Sequence, residues 1–333
     1  MSERKEIKVL LIHPHLESSA DGIASHCDTL YHLFLGHHTV HVMKPENYPY
    51  RKMKIFNGMF VFSKLIKAIK ESGADIVHVH GYTTLQVGQA LLAAIICRKK
   101  IVYSPHWHPF HELNRPFLAK MFFNVTISPL VRYFASCCVC INNEDSIFMK
   151  KMGKPVYTIP HCLSEIPSQR HVDETASSKK SILFVGRFDA TNKGIDHLWH
   201  LPEGAYDIHL VGKGKIFPRS DMTVHQNIPK SELNELYSKC SVVVIPSQYE
   251  AFSLVALEAL SIGTPVIMSN KVRIADYIED NEGVFVFKYG DYRGFCLAVQ
   301  NSERLKVDTE KIHKIFSKEA ICAKYADLYS NSI

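Results

Sequence analysis

Ser241–Ile267 reads SVVVIPSQYEAFSLVALEALSIGTPVI. Val242–Ile245 is a short β-branched run, the signature of a strand buried on both faces. Pro246–Glu250 interrupts it. The spacing predicts a helix over Ser253–Ile262, ending at Gly263 with Pro265 just beyond, a helix-stop pattern. Pro265–Ser269 is the next strand. Strand, loop, helix and strand within 30 residues or so make a βα unit of a covered parallel sheet.

The same rhythm extends outward in both directions. Upstream lie the strands Ser181–Gly186 and Ile208–Gly212 and the helix Lys230–Lys239; downstream, Thr309–Tyr329 reads as one helix. An earlier set comprises strands Lys8–His13, Thr39–Met43, Asp75–His80, Lys100–Ser104 and Ser136–Asn142, with helices Ala24–Leu35 and Thr84–Cys97. Ser164–Lys180 (SEIPSQRHVDETASSKK) is polar and is the best linker in the chain. The reading is α/β: two Rossmann-like domains facing a cleft, with ligands expected at the carboxyl ends of the strands. The boundaries are 1–165, a linker 166–180, a second domain 181–310, and a final helical segment 311–333.

Composition agrees with two folded domains. The chain has 333 residues, 46% hydrophobic and 22% charged, a balance that excludes disorder and disulfide mini-proteins. No apolar run reaches the length of about 18 residues needed for a spanning helix, and the apolar stretch Ile7–Ile12 is too short for a signal-peptide core. Nine cysteines, three of them crowded at Cys137, Cys138 and Cys140 without CxxC spacing, read as reduced structural thiols of a cytoplasmic protein. The net charge of +6 is uneven: residues 1–165 hold 19 Lys and Arg against 12 Asp and Glu, and 13 of the 19 histidines.

Two clusters in the second domain carry chemistry. Glu250 stands before a helix N-terminus, whose free N–H groups suit a diphosphate, and Glu258 follows one face further along, placed to accept from a ribose diol. The Glu-x7-Glu spacing is weak evidence alone; its strand–loop–helix setting strengthens it. In VGRFDATNKG (Val185–Gly194), Arg187 and Lys193 follow a strand, a fork and a point charge suited to a leaving diphosphate. The bland readings are a cap-region Glu with an exposed helix Glu, and two solvated surface cations.

These stretches resemble the retaining glycosyltransferases of family 4, which have the GT-B fold. GRFDATNKG, LVGKG, the Ser231–Lys239 helix leading into Ser241–Ile267, and NEGVFVF carry the resemblance over residues 181–290; it is looser before them. It implies sugar transfer from a nucleotide-diphosphate-sugar with retained α configuration, no obligatory metal and no cofactor, and a last helix that crosses back to the first domain. No Asp-x-Asp occurs, in keeping with that. By matching position, Arg187 and Lys193 hold the diphosphate, Glu250 the donor sugar hydroxyls and Glu258 the ribose, while the amides of Ser253, Leu254 and Val255 face the phosphates. Ser253 replaces the usual Gly, which is expected to narrow the donor's approach. In the first domain the family's strand-end His matches His106 in VYSPHWHPFH, with His108 and His111 behind it; a zinc site of these three is not expected, because no carboxylate or Cys pair accompanies their tight spacing. Gly22, in SADGIASH, permits close backbone approach where the family has paired glycines. Asp21 beside it, His161 in TIPHCL and RIADYIED around Asp276 depart from the family pattern.

Residues 50–70 (YRKMKIFNGMFVFSKLIKAIK) and 115–134 (RPFLAKMFFNVTISPLVRYF) interleave cations with aromatic and aliphatic residues. They suit an anionic lipid surface, or, on the plain reading, amphipathic helices against the sheet. Nucleic acid is not expected. The expected activity is extension of a lipid-linked or lipopolysaccharide-type glycan at the inner membrane face; a soluble small-molecule acceptor, or a silent nucleotide-sugar-binding homologue, are the alternatives. A nicotinamide oxidoreductase needs Gly-x-Gly-x-x-Gly after a strand; Gly212 and Gly214 begin it, but Phe217 holds the third place.

Overall fold

The computed structural model describes residues 6–13, 22–37, 39–44, 50–51, 59–82, 84–106, 117–163, 179–278 and 282–333. The chain divides into two compact units, Met1–Cys162 with Lys318–Ile333, and Leu163–Ser317. Most of the linker read at 166–180 lies outside the described residues, as do Asp21, His108 and His111.

In the first unit the strands are β1 (Ile7–Ile12), β2 (Val40–Met43), β3 (Tyr50–Arg51), β4 (Met59–Phe60), β5 (Ile76–His80), β6 (Lys100–Ser104), β7 (Cys137–Cys140) and β8 (Val156–Thr158). Apart from the antiparallel β3–β4 pair they form one parallel sheet in the order β2-β1-β5-β6-β7-β8. The helices are α1 (Gly22–Leu33), α2 (Phe62–Glu71), α3 (Leu85–Ile96), α4 (Phe117–Phe122), α5 (Ser128–Phe134), joined to α4 by a π turn, and α6 (Asn143–Lys150). Parallel strands need helical crossovers that cover both faces, so β5 is buried along its whole length, its two histidines included.

The second unit contains β9 (Lys180–Val185), β10 (Tyr206–Val211), β11 (Met222–His225), β12 (Val242–Ile245), β13 (Val266–Ser269) and β14 (Val284–Phe287), all parallel, in the order β11-β10-β9-β12-β13-β14. Its helices are α7 (Lys230–Lys239), α8 (Leu254–Ile262), α9 (Ala275–Ile278), α10 (Tyr292–Gln300) and α11 (Thr309–Phe316). The strand order reverses between β9 and β12, the point at which such sheets open a crevice at their carboxyl ends.

The single helix expected over Thr309–Tyr329 is two. Ser317 is extended, with φ −61° and ψ 154°, and α12 (Lys318–Asn331) belongs to the first unit, where Ile321, Tyr325, Leu328 and Tyr329 are buried with Val9, Leu11, Val40 and Val42. Both halves have apolar residues at helical spacing, so the pattern alone does not reveal the break. Among the described residues no helix is long and apolar enough to cross a membrane.

Candidate functional site

Three loops at the carboxyl ends of β9, β10 and β12 pack backbone against backbone. Gly194 sits at φ +63°, and a Cβ there would lie 1.9 Å from the Pro246 carbonyl oxygen. A Cβ on Gly212 would lie 1.8 Å from the Gly186 carbonyl oxygen. The main chain adds bonds from Gln248 N–H to the Asn192 carbonyl and from Phe188 N–H to the Lys213 carbonyl. Only glycine allows this approach, and it brings the Arg187–Lys193 loop against the loop bearing Glu250.

Glu250 is held on every side. Its Oε1 lies 3.1 Å from Lys193 Nζ, and its Oε2 accepts from Ser247 Oγ at 3.2 Å. Its N–H donates to the Lys271 carbonyl, while its own carbonyl accepts from Arg273 N–H. A carboxylate has about four lone-pair sites, so two protein bonds leave capacity for ligand hydroxyls. With Lys193 27% and Glu250 17% exposed at the side chain, the pair sits at a wet edge and not in a dry interior.

Ser253 caps α8: its Oγ accepts from Ala256 N–H at 3.2 Å and its side chain is fully buried. The Ser253 hydroxyl is thus engaged within the cap. The amides of Leu254 and Val255 precede the capped one in the first turn, where helices carry unpaired donors and a positive dipole end. Glu258, on the next turn, accepts from Tyr237 Oη at 3.0 Å and pairs with Lys230 Nζ at 2.5 Å. Burial, then the adjacent Glu258 carboxylate, pushes the Tyr237 phenol well up, which keeps it a donor.

Arg187 is brought to the same loop cluster but is turned onto Asp189, with Nε and a terminal nitrogen each 3.1 Å from a carboxylate oxygen. This two-pronged bond raises the Arg187 pKa and lowers that of Asp189. Both groups are solvent-exposed.

In the first unit His106 follows β6 at φ +60°, unusual for a residue with a Cβ. Its Nε2 is 2.8 Å from Nδ1 of His80, the last residue of β5. His26 of α1 lies edge-on to His106, with centroids 4.9 Å apart, and its Nδ1 is 2.8 Å from Nδ1 of His161. His78 bridges Tyr329 Oη at 2.9 Å and Ser104 Oγ at 2.8 Å. Burial is the main reason these imidazoles resist protonation: His78 is pushed down to about 3, His161 to about 4, and His26, His80 and His106 well below their ordinary value. Gly22 begins α1.

Sequence reading placed Glu250, Glu258, Arg187, Lys193 and His106 at strand or helix ends, but it missed their partners: Ser247, Asp189, Tyr237, Lys230 and the histidines around His106. Ser247 had a local signal, three residues before Glu250 in one loop. Asp189 had one too, two residues after Arg187; Tyr237 and Lys230 on α7, and the histidines around His106, are distant in sequence from the residues they meet.

The two basic, apolar segments differ in how they are packed. On α2, Leu65 and Ile69 are buried in the core while Lys64, Lys67 and Lys70 are exposed, as in an ordinary amphipathic helix. Along α4–α5, Phe123, Ile127 and Val131 are buried in the core, but other apolar side chains are exposed: Phe117 by 77%, Val125 by 69% and Tyr133 by 73%.

A family model described as "Glycosyltransferase Family 4" matches residues 4–165, and one described as "Glycosyl transferases group 1" matches residues 165–328. The "Uncharacterized glycosyltransferase MJ1607" of Methanocaldococcus jannaschii is 32% identical over 69% of this chain and 67% of its own. The "UDP-Gal:alpha-D-GlcNAc-diphosphoundecaprenol alpha-1,3-galactosyltransferase" of Escherichia coli is 24% identical over 80% of this chain and 75% of its own. Among solved structures, sucrose-phosphate synthase from Thermosynechococcus elongatus superposes with a TM-score of 0.72 at 19% identity, covering 98% of each chain, which establishes the shared GT-B fold.

Proposed function

Because the chain belongs to the group 1, family 4 glycosyltransferases, we propose that it moves a sugar from a nucleotide-diphosphate-sugar to a hydroxyl of a lipid-linked or lipopolysaccharide-type glycan, retaining the anomeric configuration and using no metal in the transfer step. The observation that carries this reading is the Lys193–Glu250 pair, held at 3.1 Å where the strand order reverses and just ahead of the α8 N-terminus.

As the bond from anomeric carbon to diphosphate breaks, negative charge grows on the leaving phosphate. Lys193, the Leu254 and Val255 amides and the α8 dipole meet that charge in place of a divalent ion. Arg187 joins them once it leaves Asp189. Glu250 accepts from the donor sugar hydroxyls with its remaining lone pairs, and Glu258 from the ribose. His106, in the first unit, is the imidazole assigned to hydrogen-bond the transferred sugar, and Gly22 lets backbone approach the donor. Preorganised charge of this kind is worth roughly 10²–10³-fold per donor group.

The acceptor assignment is supported by the lipid-linked acceptor in the name of the Escherichia coli relative and by the exposed apolar side chains of α4–α5. Lysines of α2 and a first half rich in positive charge would favour anionic lipid. The test is incubation with UDP-, GDP- and ADP-sugars and a diphosphate-lipid-linked acceptor, in the presence of a chelator, with the anomeric configuration of the product read by NMR. Transfer with an α-linked product is expected. No transfer or donor hydrolysis with any donor, or an inverted product, would overturn the reading.

A further inference from the structure

We propose that His26, His80 and His106 form a binding site for a divalent transition-metal ion of the zinc class within the first unit. Each offers an imidazole nitrogen, and the three lie within 4.8 Å of one another. Three elements supply them: His26 comes from α1, His80 from the carboxyl end of β5 and His106 from the turn after β6. β5 and β6 are neighbours in the sheet, with His80 in register with Ser104, two residues before His106. The grouping is thus held by the sheet, not by a mobile tail.

The donor set suits such an ion. Imidazole is the commonest ligand of zinc and its neighbours, and neutral rings keep a lone pair free. A tetrahedral ion with nitrogen at about 2.0–2.1 Å needs ligand nitrogens about 3.3 Å apart. The three offered nitrogens lie within 4.8 Å of one another, so they close to that spacing by up to about 1.5 Å.

The hydrogen bonds of the metal-free cluster are incomplete. His80 is fully buried, and its Nε2 has no hydrogen-bond partner among the described residues; such orphan polar atoms are rare and costly. His78, by contrast, has both nitrogens engaged by Tyr329 and Ser104 and packs against His80 with ring centroids 4.0 Å apart, so it buttresses the site and is not a ligand. Whichever ring nitrogen of His26 takes the ion, the other keeps a partner: His161 at 2.8 Å or Tyr325 Oη at 3.3 Å. Ligating histidines are ordinarily oriented by such outer contacts.

His106 is shared with the transfer reading, so the test reads metal binding and not turnover; either idea can then fail without the other. The full chain, free of any polyhistidine tag and stripped with chelator, is titrated with Co(II) and then with Zn(II). Expected are one equivalent bound, visible Co(II) bands of a four-coordinate nitrogen–oxygen site without a thiolate charge-transfer band, displacement by Zn(II), and a raised Tm. His26→Gln and His80→Gln each weaken binding at least about tenfold, the lower end for losing even an outer partner, while exposed His32→Gln leaves it unchanged. If His80→Gln does not fold, as judged by circular dichroism, His26→Gln alone decides. Absence of saturable binding, a thiolate band, or unchanged affinity in the folded variants would each overturn the proposal.

Discussion

Lys193 and Glu250 stand 57 positions apart in sequence, yet their charged atoms lie 3.1 Å apart at neighbouring strand ends. Ser247 holds the second oxygen of Glu250, so the carboxylate is aimed before any ligand arrives. Preorganisation of that kind is what the proposed metal-independent transfer requires.

Removing either partner should separate activity from stability. Lys193→Ala and Glu250→Ala are each expected to lower kcat by roughly 10²–10³-fold. Because the pair is partly solvated, the cost in stability stays within about 1 kcal/mol. Steady-state kinetics beside urea denaturation checks both halves; wild-type rates in both variants would remove these residues from the site.

Gly194→Ala places a methyl 1.9 Å from the Pro246 carbonyl oxygen at φ +63°. Backbone must shift, at a cost of roughly 1–3 kcal/mol. The variant should melt lower and lose turnover together, unlike the charge variants. An unchanged denaturation midpoint would contradict the loop contact.

Tyr237→Phe deletes one of the two bonds to Glu258. With water able to reach the half-buried carboxylate, the stability loss is expected near 1 kcal/mol. KM for the donor should rise up to about tenfold, as one lost interaction of about 1.4 kcal/mol implies, with kcat largely kept. Isothermal titration with the nucleoside diphosphate gives an independent reading.

Asp189→Asn frees Arg187 from its two-pronged carboxylate. If Asp189 competes with the diphosphate, donor affinity rises, by no more than about fivefold, since exposed pairs are weak. Weaker binding in this variant would mean that Asp189 positions Arg187 and does not restrain it.

Phe117→Ser combined with Val125→Ser removes two of the most exposed apolar side chains of the α4–α5 face. Sedimentation with anionic vesicles should fall for this variant, and for the wild type as salt is raised. Binding indifferent to lipid charge, salt and the double substitution would dismiss the membrane contact.

Much of the architecture was legible in local pattern. Val242–Ile245 and Lys100–Ser104 were read to the residue, because strands central to a parallel sheet are apolar on both faces. Val156–Thr158, Met222–His225 and Val284–Phe287 were not read as strands. Each lies at a sheet edge, where one side meets solvent, and Tyr157 and Thr223 dilute the apolar pattern of the first two. The break at Ser317 escaped for a different reason: α11 and α12 each keep helical periodicity, and the interruption serves two separate cores.

By itself the sequence determined what depends on neighbours along the chain: alternating strands and helices, the start of α8 at Ser253 and its stop at Gly263, and the positions of Glu250 and Glu258 around that start. Only the tertiary structure decided what depends on crossovers that return the chain to the same sheet edge. Those crossovers joined Lys193 to Glu250, Tyr237 and Lys230 to Glu258, and His26 to His80 and His106. The physical reason is that parallel pairing brings together strand ends separated by whole helices, and no local spacing records which ends will meet.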